Sequence, residues 1–151
     1  MVPVNRLRAR FVPVIEEKQP MLRHAGTVQE IYDAFGRGDI PAILGYLAED
    51  VEWEHDWSEP LKWYRPLRGR DAVPQFFASL SDFEFLRFEP LAFLEGADMV
   101  FVPVRIELRV RATGRIIRDL EAHLWTFAAD GKVSRFRHFV DTQQFALATA
   151  K

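Results

Sequence analysis

Glu121-Ala122-His123-Leu124-Trp125-Thr126-Phe127 is a stretch in which polar and apolar residues alternate. Alternation with a period of two predicts a half-buried β-strand. On such a strand Glu121, His123 and Trp125 point to the same side. A carboxylate, an imidazole and an indole side by side are unusual in a plain hydrophobic core. We therefore predict that this side lines an apolar pocket with groups that can transfer a proton.

Turn signals divide the chain around this stretch into strands. They lie at Glu95-Gly96-Ala97-Asp98, Thr113-Gly114 and Asp130-Gly131, and such sequences are typical of hairpins. They predict four antiparallel strands, at about residues 83–94, 99–111, 115–128 and 132–140.

The same turns predict which residues lie opposite one another. A hairpin centred on Asp130-Gly131 places His123 opposite His138 and Trp125 opposite Phe136. A turn centred on Thr113-Gly114 places Val104 opposite His123. Residues opposite each other share a face, so both histidines would line the pocket. A slip of one residue would turn them outward.

Helical patterns precede these strands. Thr27-Val28-Gln29-Glu30 reads as a capping box, and the helix after it should end near Gly36 and Gly38. Asp39 is expected to cap a second helix with the apolar face Ile40, Ile43, Leu44 and Leu47. A strand at about 50–57, a loop at 58–69 and a third helix at about 71–80 follow. This order predicts an α+β domain with three helices on one face of a curved sheet.

The composition restricts the class of function. The 151 residues include 20 Lys and Arg against 22 Asp and Glu, without the basic patch of a nucleic-acid-binding protein. There is no cysteine, so disulfides and thiolate metal sites are excluded. No apolar run approaches the ~18 residues of a membrane helix, and no signal peptide is recognisable. These features predict a cytoplasmic protein that binds neither nucleic acid nor membrane.

Residues 1–21 differ from the remainder, because Pro3, Pro13 and Pro20 interrupt them without a helical or strand pattern of useful length. We interpret them as an N-terminal extension. Residues 22–151 would then form a single domain.

Several segments of this domain resemble one family. They are Tyr32-Asp33-Ala34-Phe35-Gly36-Arg37-Gly38-Asp39-Ile40, Leu47-Ala48-Glu49-Asp50-Val51-Glu52-Trp53, Leu67-Arg68-Gly69-Arg70-Asp71-Ala72-Val73, Ala112-Thr113-Gly114-Arg115 and residues 130–141. Together they are similar to the SnoaL-like polyketide cyclase and ketosteroid isomerase group. That resemblance implies a cone-shaped α+β barrel of nuclear transport factor 2 type, homodimeric, with a deep apolar pocket.

The resemblance also implies positions for the catalytic groups. The isomerase base falls on Trp53-Glu54-His55, with His55 as the candidate, and the acid of the oxyanion hole falls on His123. The oxyanion tyrosine falls near Ile31, one residue out of phase with Tyr32. The cyclase carboxylate falls near Arg137 or His138, so the acidic residue is replaced here. Arg105, which an epoxide hydrolase of this fold would need, is expected to point outward.

We expect His123, His55, Glu121 and His138 to be the catalytic candidates, because histidine titrates near neutral pH. Burial would raise the pKa of the Glu121 carboxyl, unless that residue only orients a histidine. The alternative for each histidine is a structural, hydrogen-bonded role. Seven aromatic residues are candidates to contact the ligand: Trp53, Trp57, Trp63, Tyr64, Tyr32, Trp125 and Phe136. No metal site or cofactor is expected, since no pair of histidines lies four apart on a helix.

Two functions remain open at this point. One is a cofactor-independent isomerase or cyclase that shifts a proton on a hydrophobic carbonyl compound, with His123 polarising the oxygen and His55 or Glu121 as base. The other is a non-catalytic binding domain with the same pocket. In both, the sheet face bearing Leu120, Ala122 and Leu124 lacks a helix to cover it and is predicted to form a homodimer interface.

Overall fold

A computed structural model describes residues 23–55 and 66–151 of the chain. The predicted N-terminal extension lies outside these residues. So do Trp57, Trp63 and Tyr64, three of the aromatic residues expected to contact a ligand.

The described part of the chain contains four α-helices. They are α1 (Arg23–Gly36), α2 (Ile40–Gly45), α3 (Val73–Ser79) and α4 (Thr142–Thr149), and short 3-10 turns flank α3 at Arg70–Ala72 and Leu80–Asp82. The three helices near the N-terminus were expected. The fourth helix, α4, lies where the sequence predicted only a short terminal turn. Asp141 caps it by accepting a hydrogen bond from the Gln144 amide.

Among the described residues, seven strands form one curved sheet. They are β1 (Leu47–His55), β2 (Leu67–Arg68), β3 (Phe83–Pro90), β4 (Leu94–Gly96), β5 (Met99–Val110), β6 (Ile116–Phe127) and β7 (Val133–Phe139). Their order is β2-β1-β7-β6-β5-β3, with β4 also paired to β5. The pairing of β1 with β7 is parallel, so the sheet is not wholly antiparallel as predicted. Bulges in the β1–β7, β3–β5 and β6–β7 pairings interrupt the ladder and bend the sheet.

The strand register agrees with the prediction in one hairpin and differs in the other. His123 lies opposite His138 and Trp125 opposite Phe136, as expected. Across β5, however, Val102 rather than Val104 lies opposite His123. The turn centres one residue early because Gly114, at φ +75°, takes the left-handed position after it and bonds back to Val110. Since the register differs by two residues, every side chain keeps its predicted face.

Two helix boundaries also differ from the sequence prediction. Thr27 lies inside α1, so the predicted capping box is wrong, and its hydroxyl bonds back to the Arg23 carbonyl. The Glu95 carboxylate, from the distant strand β4, instead accepts the Ala25 amide near the start of the helix. Leu47 begins β1 rather than continuing the second helix, because α2 already ends at Gly45.

The core lies between the helices and one face of the sheet, which we call the inner face. Alternate residues of β5 on that face, Val100, Val102 and Val104, are fully buried, as are Val28 of α1 and Ile43 of α2. Burial of these side chains fixes the register of the central strands, because a slip of one residue would expose them all. It also holds the inner-face residues of β6 against α1.

The opposite face of the sheet, here called the outer face, is largely uncovered by the described residues. Leu120 is 61% exposed and Phe101 38% exposed. Ion pairs cross the same face, with Arg118 bonded to Glu107 and Arg137 to Glu54. No helix among residues 23–55 and 66–151 has the length and apolar character needed to cross a membrane.

Candidate functional site

Three adjacent strands each place a histidine at the same level of the inner face. His55 of β1 pairs with His138 of β7, and His138 pairs with His123 of β6. The ring centroids are 5.6 Å apart for His55 and His138 and 4.8 Å apart for His138 and His123. All three side chains are buried. We call this row the histidine ladder.

An aromatic row lies one step along the same strands. Trp53, Phe136 and Trp125 pair across β1, β7 and β6. The Phe136 ring centroid is 4.2 Å from that of Trp53 and 4.4 Å from that of Trp125. These closely packed rings form a continuous aromatic surface next to the histidine ladder.

Glu121 joins two members of the ladder. Its Oε2 atom lies 3.2 Å from His123 Nε2 and 3.0 Å from His138 Nε2, and the side chain is 5% exposed. Burial opposes ionisation of this carboxyl, but the charge of His138 and hydrogen bonds from His123 and His138 outweigh it and lower the pKa to about 2. Burial acts on Glu121 in the expected direction, but the two histidines reverse the net shift, so the expectation of a raised pKa is wrong. A carboxylate accepts hydrogen bonds only, so both Nε2 atoms donate to it.

Helix α1 contributes a tyrosine to the same network. The Tyr32 hydroxyl lies 2.6 Å from His123 Nδ1, and the Trp125 indole N–H donates to the Tyr32 oxygen at 3.2 Å. Since an indole can only donate, the Tyr32 hydrogen is directed to His123 Nδ1. His123 is then neutral, carries its proton on Nε2 and donates it to Glu121.

Burial explains the ionisation of the remaining groups. Desolvation lowers the pKa of His123, although its hydrogen bond to Glu121 opposes the shift. Desolvation also lowers the pKa of His55 to about 3, with smaller electrostatic contributions from the neighbouring His138 and His123. Desolvation raises the pKa of Tyr32, so its hydroxyl remains protonated at neutral pH.

A cavity of about 70 Å³ lies beside this network. Its polar lining comes from Tyr32, Glu121, His123 and His138, and its apolar lining includes Trp53, Trp125 and Phe136. The Trp53 indole nitrogen is buried and has no hydrogen-bond partner among the described residues. The cavity can therefore offer a ligand aromatic surface and a few hydrogen-bonding groups.

Most of the sequence-predicted residues that the structure describes come together here. His55 is the exception: it is not among the described residues that line the cavity, and its ring stacks on Phe76 with centroids 4.8 Å apart. Phe35 and Phe88 of the cavity wall were not predicted from the sequence. Phe35 belongs to the apolar pattern of α1, which predicts a buried position but does not indicate a cavity.

The comparisons with known proteins agree with this architecture. The family model described as a SnoaL-like domain matches residues 28–136. A search of the curated proteins finds no significant match.

Several solved structures share the fold of this chain. An NTF2-like protein of unknown function from Burkholderia pseudomallei is 30% identical, covering 86% of this chain and 100% of that chain, with a TM-score of 0.77. An NTF2-like protein from Burkholderia xenovorans is 29% identical, covering 85% and 96%, with a TM-score of 0.76. TerC, co-crystallised with polyporic acid, is 26% identical, covering 83% and 97%, with a TM-score of 0.72. With its curved sheet and its match over residues 28–136, this chain belongs to the SnoaL-like family and has the NTF2-like fold.

Proposed function

We propose that this chain binds a compact hydrophobic carbonyl compound in the cavity and shifts a proton on it, as an isomerase or cyclase does. The observation that carries the proposal is the hydrogen-bonded network from Trp125 through Tyr32 and His123 to Glu121 and His138. This network occupies one wall of an otherwise apolar cavity. An apolar site with a few convergent titratable groups is the usual setting of proton-transfer catalysis.

Tyr32 is the group best suited to polarise the carbonyl oxygen. Its raised pKa keeps the hydroxyl protonated, and Trp125 already donates to its oxygen. His123, the residue expected to do this from sequence, has Nδ1 bonded to Tyr32 and Nε2 bonded to Glu121. In the proposal His123 therefore holds Tyr32 in position, and the Tyr32 hydroxyl turns to the carbonyl oxygen when a ligand enters. A donor aimed at the developing enolate would stabilise the transition state.

His138 is the better base. Glu121 accepts its Nε2–H, which leaves Nδ1 as the basic nitrogen of the imidazole. A carboxylate partner also stabilises the imidazolium that forms when His138 takes a proton from carbon. Glu121 is itself a weak base because its pKa is low and two N–H groups already bond to it. His55, the other base considered from sequence, packs behind the cavity wall against Phe76.

The relatives support a small-molecule ligand. TerC, 26% identical to this chain, was crystallised with polyporic acid. Polyporic acid is therefore a reasonable first probe of binding, although the small cavity of this chain favours more compact compounds.

The proposal can be tested with β-tetralone, a two-ring ketone with acidic α-hydrogens. In deuterated buffer, NMR would follow the loss of these hydrogens in the presence of the protein. We expect exchange to be catalysed by the wild-type chain and reduced about 100-fold or more by His138→Gln, the usual scale for loss of a general base. His24→Gln, which alters a histidine stacked on Phe127 outside the network, is the matched control. Exchange that is equal in both variants would contradict the role of His138.

A non-catalytic binding domain is the second candidate. It is favoured by one observation, that His123 is neutral and both of its ring nitrogens are already hydrogen-bonded. Quenching of tryptophan fluorescence by a ligand, without any catalysed exchange, would favour this function. Under either function we propose a homodimer through the outer face, because its exposed apolar residues have no cover among the described elements.

A further inference from the structure

We propose that Glu121, His123 and His138 form a binding site for a divalent transition-metal ion such as Zn²⁺. Each of the three side chains offers one potential ligand atom, and these atoms lie within 4.8 Å of one another. All three residues are buried. Two imidazole nitrogens and one carboxylate oxygen are a ligand set that zinc and similar ions prefer.

The distances suit coordination. Glu121 Oε2 lies 3.2 Å from His123 Nε2 and 3.0 Å from His138 Nε2. In a tetrahedral zinc site with bonds of about 2.0–2.1 Å, neighbouring ligand atoms are roughly 3.3 Å apart. Two of the three separations are therefore already close to that value. A metal ion would replace the two N–H···O hydrogen bonds, and each imidazole would move its proton from Nε2 to Nδ1.

A hydrogen-bond acceptor is available for His123 once its proton moves to Nδ1. A metal-bound histidine usually donates its other N–H to an oxygen that fixes the ring. The Tyr32 oxygen is 2.6 Å from His123 Nδ1 and is in position to become that acceptor. The Tyr32 hydrogen would then be released from His123. Because Glu121, His123 and His138 all line the cavity, the remaining coordination position would face the cavity.

The strand pairing brings the ligand atoms of this site together. Fifteen positions separate His123 from His138, and only the β6–β7 hairpin brings them side by side. The prediction of no metal rested on the absence of a two-histidine helical motif, which is a different geometry. His55, with its ring centroid 5.6 Å from that of His138, is the nearest further imidazole of the ladder.

The test uses the full chain and Zn²⁺ alone. Protein treated with EDTA and desalted is titrated with zinc chloride in a calorimeter, and Co²⁺ is added to a second sample to record its visible absorption bands. We expect one ion per chain and a tetrahedral cobalt spectrum. Glu121→Gln and His138→Gln should each weaken zinc binding at least about tenfold, since even indirect partners of a metal site have effects of this size. His24→Gln should bind zinc like the wild type.

Two outcomes would overturn the proposal: no binding by the wild type, or binding that His24→Gln abolishes and Glu121→Gln does not. If Glu121→Gln fails to fold, ¹⁵N NMR of the wild type replaces it. We then expect zinc to shift the Nε2 signals of both His123 and His138. If neither signal shifts, the proposed site is wrong. The titration contains no ketone, so its result is independent of the β-tetralone assay, which is run in EDTA.

Discussion

The Tyr32 hydroxyl lies 2.6 Å from His123 Nδ1, although 91 positions separate the two residues in the sequence. This hydrogen bond joins α1 to the central strand β6 at the edge of the cavity. It also determines which nitrogen of His123 carries the proton, because Trp125 donates to the same oxygen. The contact between helix and sheet thus sets the chemistry of the wall that a ligand would meet.

Replacing Tyr32 with Phe should destabilise the protein by about 1–3 kcal/mol, the typical cost of leaving buried polar groups unsatisfied. Both Trp125 Nε1 and His123 Nδ1 would lose a hydrogen-bond partner, while the aromatic ring would remain. Chemical denaturation of the two proteins measures this difference. The same variant should lose most of the catalysed exchange of β-tetralone.

Tyr46→Phe is the matched control for this change. The Tyr46 hydroxyl donates to Glu30 at the surface, so its removal leaves no buried group without a partner. We expect little change in stability and none in exchange. If Tyr32→Phe behaved in the same way, the hydrogen-bonded network would have no energetic importance.

The sequence was sufficient to predict the elements that depend on local patterns. Alternation along residues 121–127 predicted β6 and its inner face, and Asp39 was correctly assigned as the cap of α2. The turn at Asp130-Gly131 gave the pairing of His123 with His138, because a short hairpin fixes its own register.

Features that depend on distant contacts were missed. No local pattern indicates that the Glu95 carboxylate satisfies the first turn of α1. The parallel pairing of β1 with β7, which adds His55 to the ladder, joins strands far apart in the chain. The low pKa of Glu121 likewise requires two histidines placed by different strands. Burial alone predicted the opposite direction.

Lowering the pH should reduce the stability of the protein, because the folded state lowers the pKa of His55. Its pKa is about 3 in the folded state, compared with an ordinary value of 6.5. Between these values the unfolded chain binds a proton that the folded chain does not, so the free energy of unfolding falls as the pH is lowered from 6.5 towards 3. The contribution of one such group is about 1.4 kcal/mol per pH unit. Glu121, with a pKa lowered to about 2, adds a loss in the same direction below about pH 4.5.

Thermal unfolding in EDTA at several pH values would measure this dependence. His55→Phe, which can retain the stacking on Phe76, should flatten the profile between pH 6.5 and 3 relative to the wild type. Parallel profiles for wild type and His55→Phe would show that His55 titrates normally in the folded protein.

Replacing His123 with Ala should affect both stability and chemistry. Glu121 would keep one donor in place of two, and the Tyr32 hydroxyl would lose its acceptor. We expect a loss of about 1–3 kcal/mol together with weaker binding of polyporic acid or slower exchange of β-tetralone. Melting temperature and ligand binding are measured on the same preparations. Unchanged values in both assays would mean that His123 does not lie in the network.

A charge placed on the outer face should dissociate the proposed homodimer. Leu124 lies on this face opposite Phe101, and Ala122 beside it pairs with Phe139, so these side chains form the apolar centre of a surface bordered by ion pairs. Leu124→Glu would bury an unpaired carboxylate in a dimer, at a cost of several kcal/mol. In a monomer the same residue would be solvated and harmless to the fold. Sedimentation at micromolar concentration should therefore give a dimer for the wild type and a monomer for Leu124→Glu, with unchanged circular dichroism.

Leu147→Glu controls for the effect of a new surface charge. Leu147 is 65% exposed but belongs to α4 rather than to the outer face. Its substitution should leave a dimer intact. A wild-type chain that sediments as a monomer would rule out the interface altogether. If instead Leu147→Glu dissociated the dimer and Leu124→Glu did not, the subunits would associate through α4, and the exposed apolar residues of the sheet would need a different explanation.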